Sequence, residues 1–461
     1  MIAPGHIGRA IPSLCRFAVT LLLATLTAHA DESDASGGWA NWRGPLQTGV
    51  APNANPPIHW AEGTNILWKL PLEGLGHSTP VVWSNQIFLT MAVPYGPKLP
   101  HTEADGHDHA DGAHDNMDAT QRQKFIALSV DRFTGKPIWK ETLNDEHPHE
   151  GTHNTGSWAS QSPVTDGETL IVSFGSRGLF GLKLDGTVIW KKDLGKLYSR
   201  HAHGEGSSPA LHDKTVIVNW DHEKESFIAA FDRDTGNPLW KIAREEPSSW
   251  STPLIIQHKD TTQVIVSATG RIRSYDLKTG VLIWECGGLT RNVVASPVYS
   301  DGIVVLSNSY DARVMIAIKL DHAKGDITDN PDAIAWKVDR HTSYVPTPLI
   351  YGNRVYFIRH LQAWISCLDL HTGKPVFGPG RLPNQGLIFA SPVGAGNRVY
   401  ITDRSGLTSV LEHEDQPELL AINRLNDAFS ASPVIIGDTI YLRGQKSLYA
   451  IKQDPQDKSL P

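Results

Sequence analysis

Cysteine is scarce in this chain, with three among 461 residues: Cys15, Cys286 and Cys367. No two are adjacent and no C-x-x-C pair occurs, so neither a disulfide framework nor a cysteine-built zinc knot holds the fold. Cys286 and Cys367 fall two sequence repeats apart, which forbids a bridge between them, and burial is the reading that suits both. Long apolar runs are missing as well. Outside the first 30 residues no stretch reaches the roughly 18 residues of a membrane-spanning helix. Positive charge is in deficit, with 42 Lys and Arg against 49 Asp and Glu for a net charge of −7. That balance argues against nucleic acid as a partner. No nucleophile triad, P-loop or dinucleotide fingerprint is present. The "GEGSS" at residues 204–208 leads into a strand rather than a helix, so it lacks the helix N-terminus of a phosphate cradle.

What is present begins with a leader. Arg9 and Arg16, the apolar residues 17–26 and Ala28-His29-Ala30 form a basic region, a short hydrophobic region and an A-x-A cleavage site. Residues 1–30 are expected to be a signal peptide, with the mature chain starting at Asp31 and exported to the periplasm or beyond. Its removal takes away two arginines and no acid, so the net charge falls from −7 to −9.

The body of the chain is repetitive. Ser or Thr followed by Pro and an apolar strand occurs at Thr79, Ser162, Ser208, Thr252, Ser296, Thr347, Ser391 and Ser432. The following prolines are 41–51 residues apart, except for a first interval of 83 that holds an insertion. Residues 249–288 show the unit: "TPLIIQ", "QVIVSA", "RIRSYDL", a "DLKTG" turn and "VLIWEC" read as four short strands. One such sheet cannot bury both faces and must stack on copies of itself. The turn and terminal tryptophan recur as "DRFTGKPIW", "DGTVIW", "DRDTGNPLW" and "DLKTGVLIW", and as "DLHTGKPVF" with phenylalanine. Of 14 tryptophans, Trp68, Trp139, Trp190, Trp240, Trp284 and Trp336 take this fourth-strand position. They are read as girders between sheets.

These repeats predict an all-β, eight-bladed propeller of four-stranded antiparallel blades. The length would suggest two or three domains, but one ring absorbs it. The last repeat stops after three strands, and "NILWKL" at residues 65–70 is a strand without a repeat. The N-terminal strand is therefore expected to close the ring beside residues 447–452. The resulting plan is a strap over 31–65, a propeller over 66–453 with a His- and Asp-rich insertion at 93–124, and a polar tail at 454–461.

The D-x-x-T-G-x-x-x-W ending, repeated around eight blades, resembles the tryptophan-docking motif of the quinoprotein-type propellers. The "WRGP" of residues 42–45 is similar to the opening of exported pyrroloquinoline-quinone-like repeat proteins. The resemblance spans Trp39 to about Gln453. The superfamily holds alcohol dehydrogenases that use pyrroloquinoline quinone with calcium, and also a non-enzymatic outer-membrane assembly propeller. Those enzymes carry calcium ligands and a catalytic Asp on inserted loops, and many show two adjacent cysteines. This chain has no such pair and mostly minimal repeats.

Two sets of loops face one rim. The loops between second and third strands carry Arg177, Arg271, Arg313, Arg404 and Arg443. These either converge on an anion, which guanidinium binds bidentately, or pair with acids of neighbouring repeats. The loops leading into the first strands carry His147, His149, Glu150, His153 and Trp158, then Arg200, His201, His203 and Glu205. Trp250, Tyr344, Phe389 and Phe429 hold corresponding places. His149, His153 and His203 are metal-capable without a fixed motif. The insertion adds His101, His107, His109 and His114, imidazoles that suit zinc, copper or nickel. The expectation is an exported, monomeric, non-catalytic propeller without a cofactor. Its rim would recognise a polar or anionic ligand: a peptide, a glycan or a protein. The alternative is a quinone-dependent alcohol or sugar dehydrogenase. No catalytic residue is assigned.

Overall fold

The computed structural model describes Met1, residues 38–99 and residues 114–454. The expected signal peptide, His101, His107, His109 and the tail beyond Asp454 lie outside the described residues.

Eight antiparallel sheets stand around one axis, as the repeats require. The third blade is typical, with strands Ala210–His212, Thr215–Trp220, Phe227–Asp232 and Pro238–Ala243 from the channel outward. Its two middle strands are buried along nearly their whole length, because each face packs on a neighbouring blade. Only the outer strand alternates between exposed and half-buried residues. The β-branched runs of the sequence are these middle strands.

The eighth blade is completed from the other end of the chain. Ile66–Pro71 pairs antiparallel with Ser447–Lys452, placing Trp68 opposite Ala450 and Leu70 opposite Leu448. Two blades gain a fifth strand. Val50–Ala51 of the strap joins the seventh blade in parallel with Val393–Ala395. Gly325–Asp326, from the loop where the fifth repeat lacks its turn, joins the fourth blade beside Leu282–Cys286.

The Ser/Thr of every Ser/Thr-Pro step has a defined role. The Thr79 amide donates to Ser162 Oγ, Ser162 to Ser208, Ser208 to Thr252 and Thr252 to Ser296, at 2.9–3.1 Å. Ser296 donates to Thr347, Thr347 to Ser391, Ser391 to Ser432 and Ser432 back to Thr79, at 2.9–3.1 Å. The eight bonds form a closed circle, each joining one blade to the next at the head of its inner strand. Every amide in this circle is buried and has found a partner, as burial demands.

The outer wall is joined by tryptophan. Trp68, Trp139, Trp190, Trp240 and Trp336 each donate their indole N–H to a carbonyl in the turn of the next blade, at 2.7–3.0 Å. The Thr-Gly turn suits this contact twice over. Asp232 Oδ1 accepts from the Thr235 amide and hydroxyl and so fixes the turn. Gly236 sits at φ +66, where a Cβ would lie 2.6 Å from the Trp190 ring.

The strap fills the channel from the end opposite the rim. Trp39 exchanges backbone hydrogen bonds with Val82 of the first blade. The Arg43 guanidinium is buried among the carbonyls of Thr48, Pro348 and Pro392. Burial without an acid partner pushes Arg43 down to about 9. Cys286 and Cys367 are buried free thiols, and burial raises them to about 11 and about 12. Among the described residues no helix is long and apolar enough to cross a membrane.

Candidate ligand site at the channel mouth

Above the Ser/Thr circle the chain has just left one blade and is about to enter the next. The residue two positions before each circle member therefore points at the axis from all eight blades. These residues are His77, Ser160, Gly206, Trp250, Val294, Val345, Phe389 and Ser430, and all eight line one cavity of about 370 Å³. Tyr310, Tyr344, Leu361, His114, His153, His203 and Glu205 complete the wall. Trp250 is held by its N–H, which donates to Gly204 O at 2.7 Å. Tyr344 stacks on His360 with centroids 4.9 Å apart and leans on Tyr310 at 5.5 Å. His77 Nε2 is buried without a hydrogen-bond partner, and burial with Arg404 and Arg443 nearby lowers this imidazole to about 3. The site thus offers aromatic faces together with a few neutral polar edges, the usual make-up of a small-ligand pocket.

The mouth is partly roofed. The described end of the insertion returns to the ring. Asn116–Met117 pairs with Thr152–His153 of the second blade's lead-in loop. That loop reaches across the axis, where Thr155 O accepts from Arg404 Nη1 at 3.0 Å. Arg404 also donates to Ser430 Oγ at 2.6 Å and lies over the Phe389 ring.

The remaining expected rim residues are dispersed. Arg177 is buried in an ion pair with Glu205, whose Oε2 also accepts from the Ser176 amide at 2.7 Å. Burial raises the Glu205 carboxyl, with Arg177 opposing. His149 lies behind this pair, 3.4 Å from Arg177 and 2.8 Å from Leu197 O. Arg271 pairs with Asp326 and, at 3.0 Å, with Glu285. Arg443 is buried against Ser78 and the Thr90 carbonyl, and burial pushes it down to about 9. Arg313 is exposed. The five arginines therefore do not share an anion site, because acids and carbonyls already hold three of them and only Arg404 reaches the cavity rim. Trp158 donates to Glu150 O at 3.1 Å and packs between the first two blades rather than in the cavity. Arg200 donates to His201 Nε2 at 3.1 Å. His153, His203, Glu205 and Trp250 are brought together at the mouth.

His77, Ser160, Val294 and Ser430 were not among the expected site residues. Their signal is positional: each stands two residues before a Ser/Thr-Pro step, the place that Trp250 and Phe389 also hold.

The family model described as outer membrane protein assembly factor BamB matches residues 123–378, more than half of the chain. The chain belongs to that family. It is a pyrroloquinoline-quinone-like propeller protein. A curated relative of this family member is methanol dehydrogenase [cytochrome c] subunit 1 of Methylorubrum extorquens. It is 24% identical over 345 residues, which are 63% of this chain and 50% of that protein. The chain spans about half the length of the curated relatives it matches. Among solved structures, quinohemoprotein alcohol dehydrogenase from Comamonas testosteroni superposes with a TM-score of 0.61 at 10% identity, covering 93% of this chain and 82% of that one. BamB from Moraxella catarrhalis gives 0.52 at 16% identity, covering 71% and 93%. At such identities the structural likeness speaks for the fold alone.

The cavity lining is poor in the ligands that calcium takes. Calcium takes 6–8 oxygen ligands, several of them carboxylate. Glu205 is the one carboxylate that lines the cavity among the described residues, and Arg177 and the Ser176 amide engage its oxygens.

Proposed function

We propose that this protein is an exported binding propeller without a catalytic step, whose channel mouth holds a planar, polar group of a small ligand or partner segment. The observation that carries this reading is the ring of eight lead-in residues lining one cavity above the Ser/Thr circle. Trp250, Tyr310, Tyr344 and Phe389 present faces on which an aromatic ring or the apolar side of a sugar stacks. His77, Ser160 and Ser430 supply hydrogen-bonding edges. The strap closes the other end of the channel, so the mouth is a receptacle rather than a pore. Export rests on the leader sequence, and a binding role is in keeping with the assembly factor that describes the family.

The test is a binding screen of sugars, aromatic peptides, and pyrroloquinoline quinone with and without calcium, read by tryptophan fluorescence and calorimetry. Saturable binding of a sugar or peptide, weakened tenfold or more by Trp250→Ala or His77→Ala, is the expected result. Tight quinone binding that requires calcium, followed by dye-linked alcohol oxidation, would replace this reading with that of a dehydrogenase.

A further inference from the structure

Four histidines meet where the returning insertion crosses two lead-in loops. His114 comes from the insertion, His153 from the second blade's loop, and His201 and His203 from the third blade's. The ring centroids of His114 and His201 are 5.0 Å apart, those of His114 and His203 5.0 Å, and those of His201 and His203 5.4 Å. His153 lies 4.7 Å from His203 on the cavity side. The planes meet at 50–83°, so no pair is stacked face to face.

This spacing has a chemical meaning. A zinc ion sits about 2.0–2.1 Å from an imidazole nitrogen, so rings around one tetrahedral ion have centroids about 5 Å apart. The triangle of His114, His201 and His203 has that size on all three sides. The backbones that carry it are tied together. Asn116 Nδ2 donates to His201 O at 2.7 Å, the Asn154 amide to Asp115 O at 2.6 Å, and the His153 amide to His203 O at 3.2 Å. His201 Nδ1 is buried and makes no hydrogen bond, while its Nε2 accepts from Arg200.

We propose that His114, His201 and His203, with His153 as fourth ligand, bind a borderline divalent transition-metal ion such as zinc, copper(II) or nickel at the channel mouth. Neutral imidazole is the donor these ions favour, and the absence of a carboxylate from the set disfavours calcium and magnesium. Among the described residues no three metal-ligating side chains already converge on one point. Binding therefore turns the rings about their side-chain torsions on a fixed backbone, and His203 Nε2 leaves its 3.2 Å contact with His114 O. Because His114, His153 and His203 also line the cavity, a bound ion would present a fixed positive charge to whatever enters it.

Tag-free protein freed of metal with a chelator is titrated with cobalt(II). One equivalent should produce the intense visible bands of tetrahedral nitrogen ligation, and zinc should displace it. His201→Gln and His203→Gln should each weaken zinc binding by about 100-fold or more. Their thermal unfolding in chelator should match that of the parent, which separates lost ligation from lost fold. The triple variant His101→Gln, His107→Gln, His109→Gln should keep the tight site. Cobalt bands of octahedral intensity, or zinc binding that persists in His201→Gln and His203→Gln, would overturn the proposal. Binding that disappears in the triple variant would also overturn it.

Discussion

The inner seam of the propeller is unbroken, and the outer one is not. At the head of the inner strands all eight blades are joined by the same amide-to-hydroxyl bond. On the outer wall five junctions carry a docked tryptophan. The fourth blade's Trp284 instead donates to Gln263 within its own blade, because the fifth repeat has a long loop where the receiving turn would be. The sixth blade has Phe377, packed on Tyr356, and the seventh has Ala421 opposite Val410. The difference follows from the physics of each contact. The outer wall works chiefly by removing apolar area from water, and many side chains do that. The inner seam must give every buried amide an acceptor at one fixed spot, and only a short hydroxyl does that without filling the channel. The cavity sits directly on the uniform seam, so its eight lining positions share a rigid, symmetric base.

Severing the ring itself is the most severe way to break this comparison. Deleting residues 38–71 removes the strap and Ile66–Pro71, exposing the edge of Ser447–Lys452 and the buried faces of the eighth blade. An exposed edge of this kind templates pairing with other chains. Aggregation or a loss of more than about 10 °C in Tm is expected, measured by light scattering and differential scanning calorimetry. An equally stable monomer would mean that the first blade closes on the eighth without the strand.

Next comes a single outer contact. Trp190 is 8% exposed, donates to Arg233 O at 2.7 Å and covers Gly236. Trp190→Ala should cost about 3–5 kcal/mol in urea unfolding. Trp190→Phe should cost less than half of that, since the sixth blade already works with phenylalanine. If both cost the same, the indole hydrogen bond rather than the buried area carries the outer wall.

The lead-in loops that join the blades hold a buried titratable group. Glu150 is buried, and its Oε1 accepts from the Ser199 hydroxyl and amide at 2.6 and 3.1 Å. Burial, aided by Glu205, pushes its carboxyl up to about 7 from the ordinary 4.5. The folded protein therefore holds this proton more tightly than the unfolded chain. The contribution to stability is fully present below about pH 4.5, is lost as the pH rises toward 7 and changes little above, roughly 3 kcal/mol in all. Glu150→Gln should raise stability at pH 8 and leave it nearly unchanged at pH 5, measured by urea unfolding at both. A variant equally stabilised at the two pH values would place the effect in packing.

The fold was largely legible because it is periodic. The Ser/Thr-Pro steps and the turn-tryptophan endings mark the blades, and an orphan strand at one end answers a missing strand at the other. The purpose of the Ser/Thr was not legible, since its acceptor belongs to the next repeat and no spacing shows which way an amide points. The site was half legible. Trp250, His153, His203 and Glu205 stood out as chemically rich loop residues, whereas His77 and Ser430 needed positional alignment rather than chemistry. The arginines misled for a related reason. Arg177 meets Glu205 from the next blade's lead-in loop, and Arg271 meets Asp326 from the fifth repeat's irregular loop. Both acids are distant in sequence, and the repeat pattern does not show which arginine each one meets.

The smallest expected effect is also the sharpest test of the comparison. Ser162→Ala removes the acceptor of the Thr79 amide, Ser208→Ala that of Ser162, and Ser391→Ala that of Thr347. Each leaves one buried donor unpaired, at about 1–3 kcal/mol. Because the eight bonds are equivalent in geometry, the three costs should agree within a few tenths of a kcal/mol. Each should be largely recovered by threonine, which already serves at positions 79, 252 and 347. The outer wall should behave in the opposite way, with a cost that depends on the blade. Trp284→Phe deletes a bond to its own blade, and Trp240→Phe deletes one to the neighbour. If the serine variants scatter as widely as the tryptophan ones, the circle is a consequence of the inner strands' packing. If they coincide, it is the joint that sets the blades in register and holds the cavity above it.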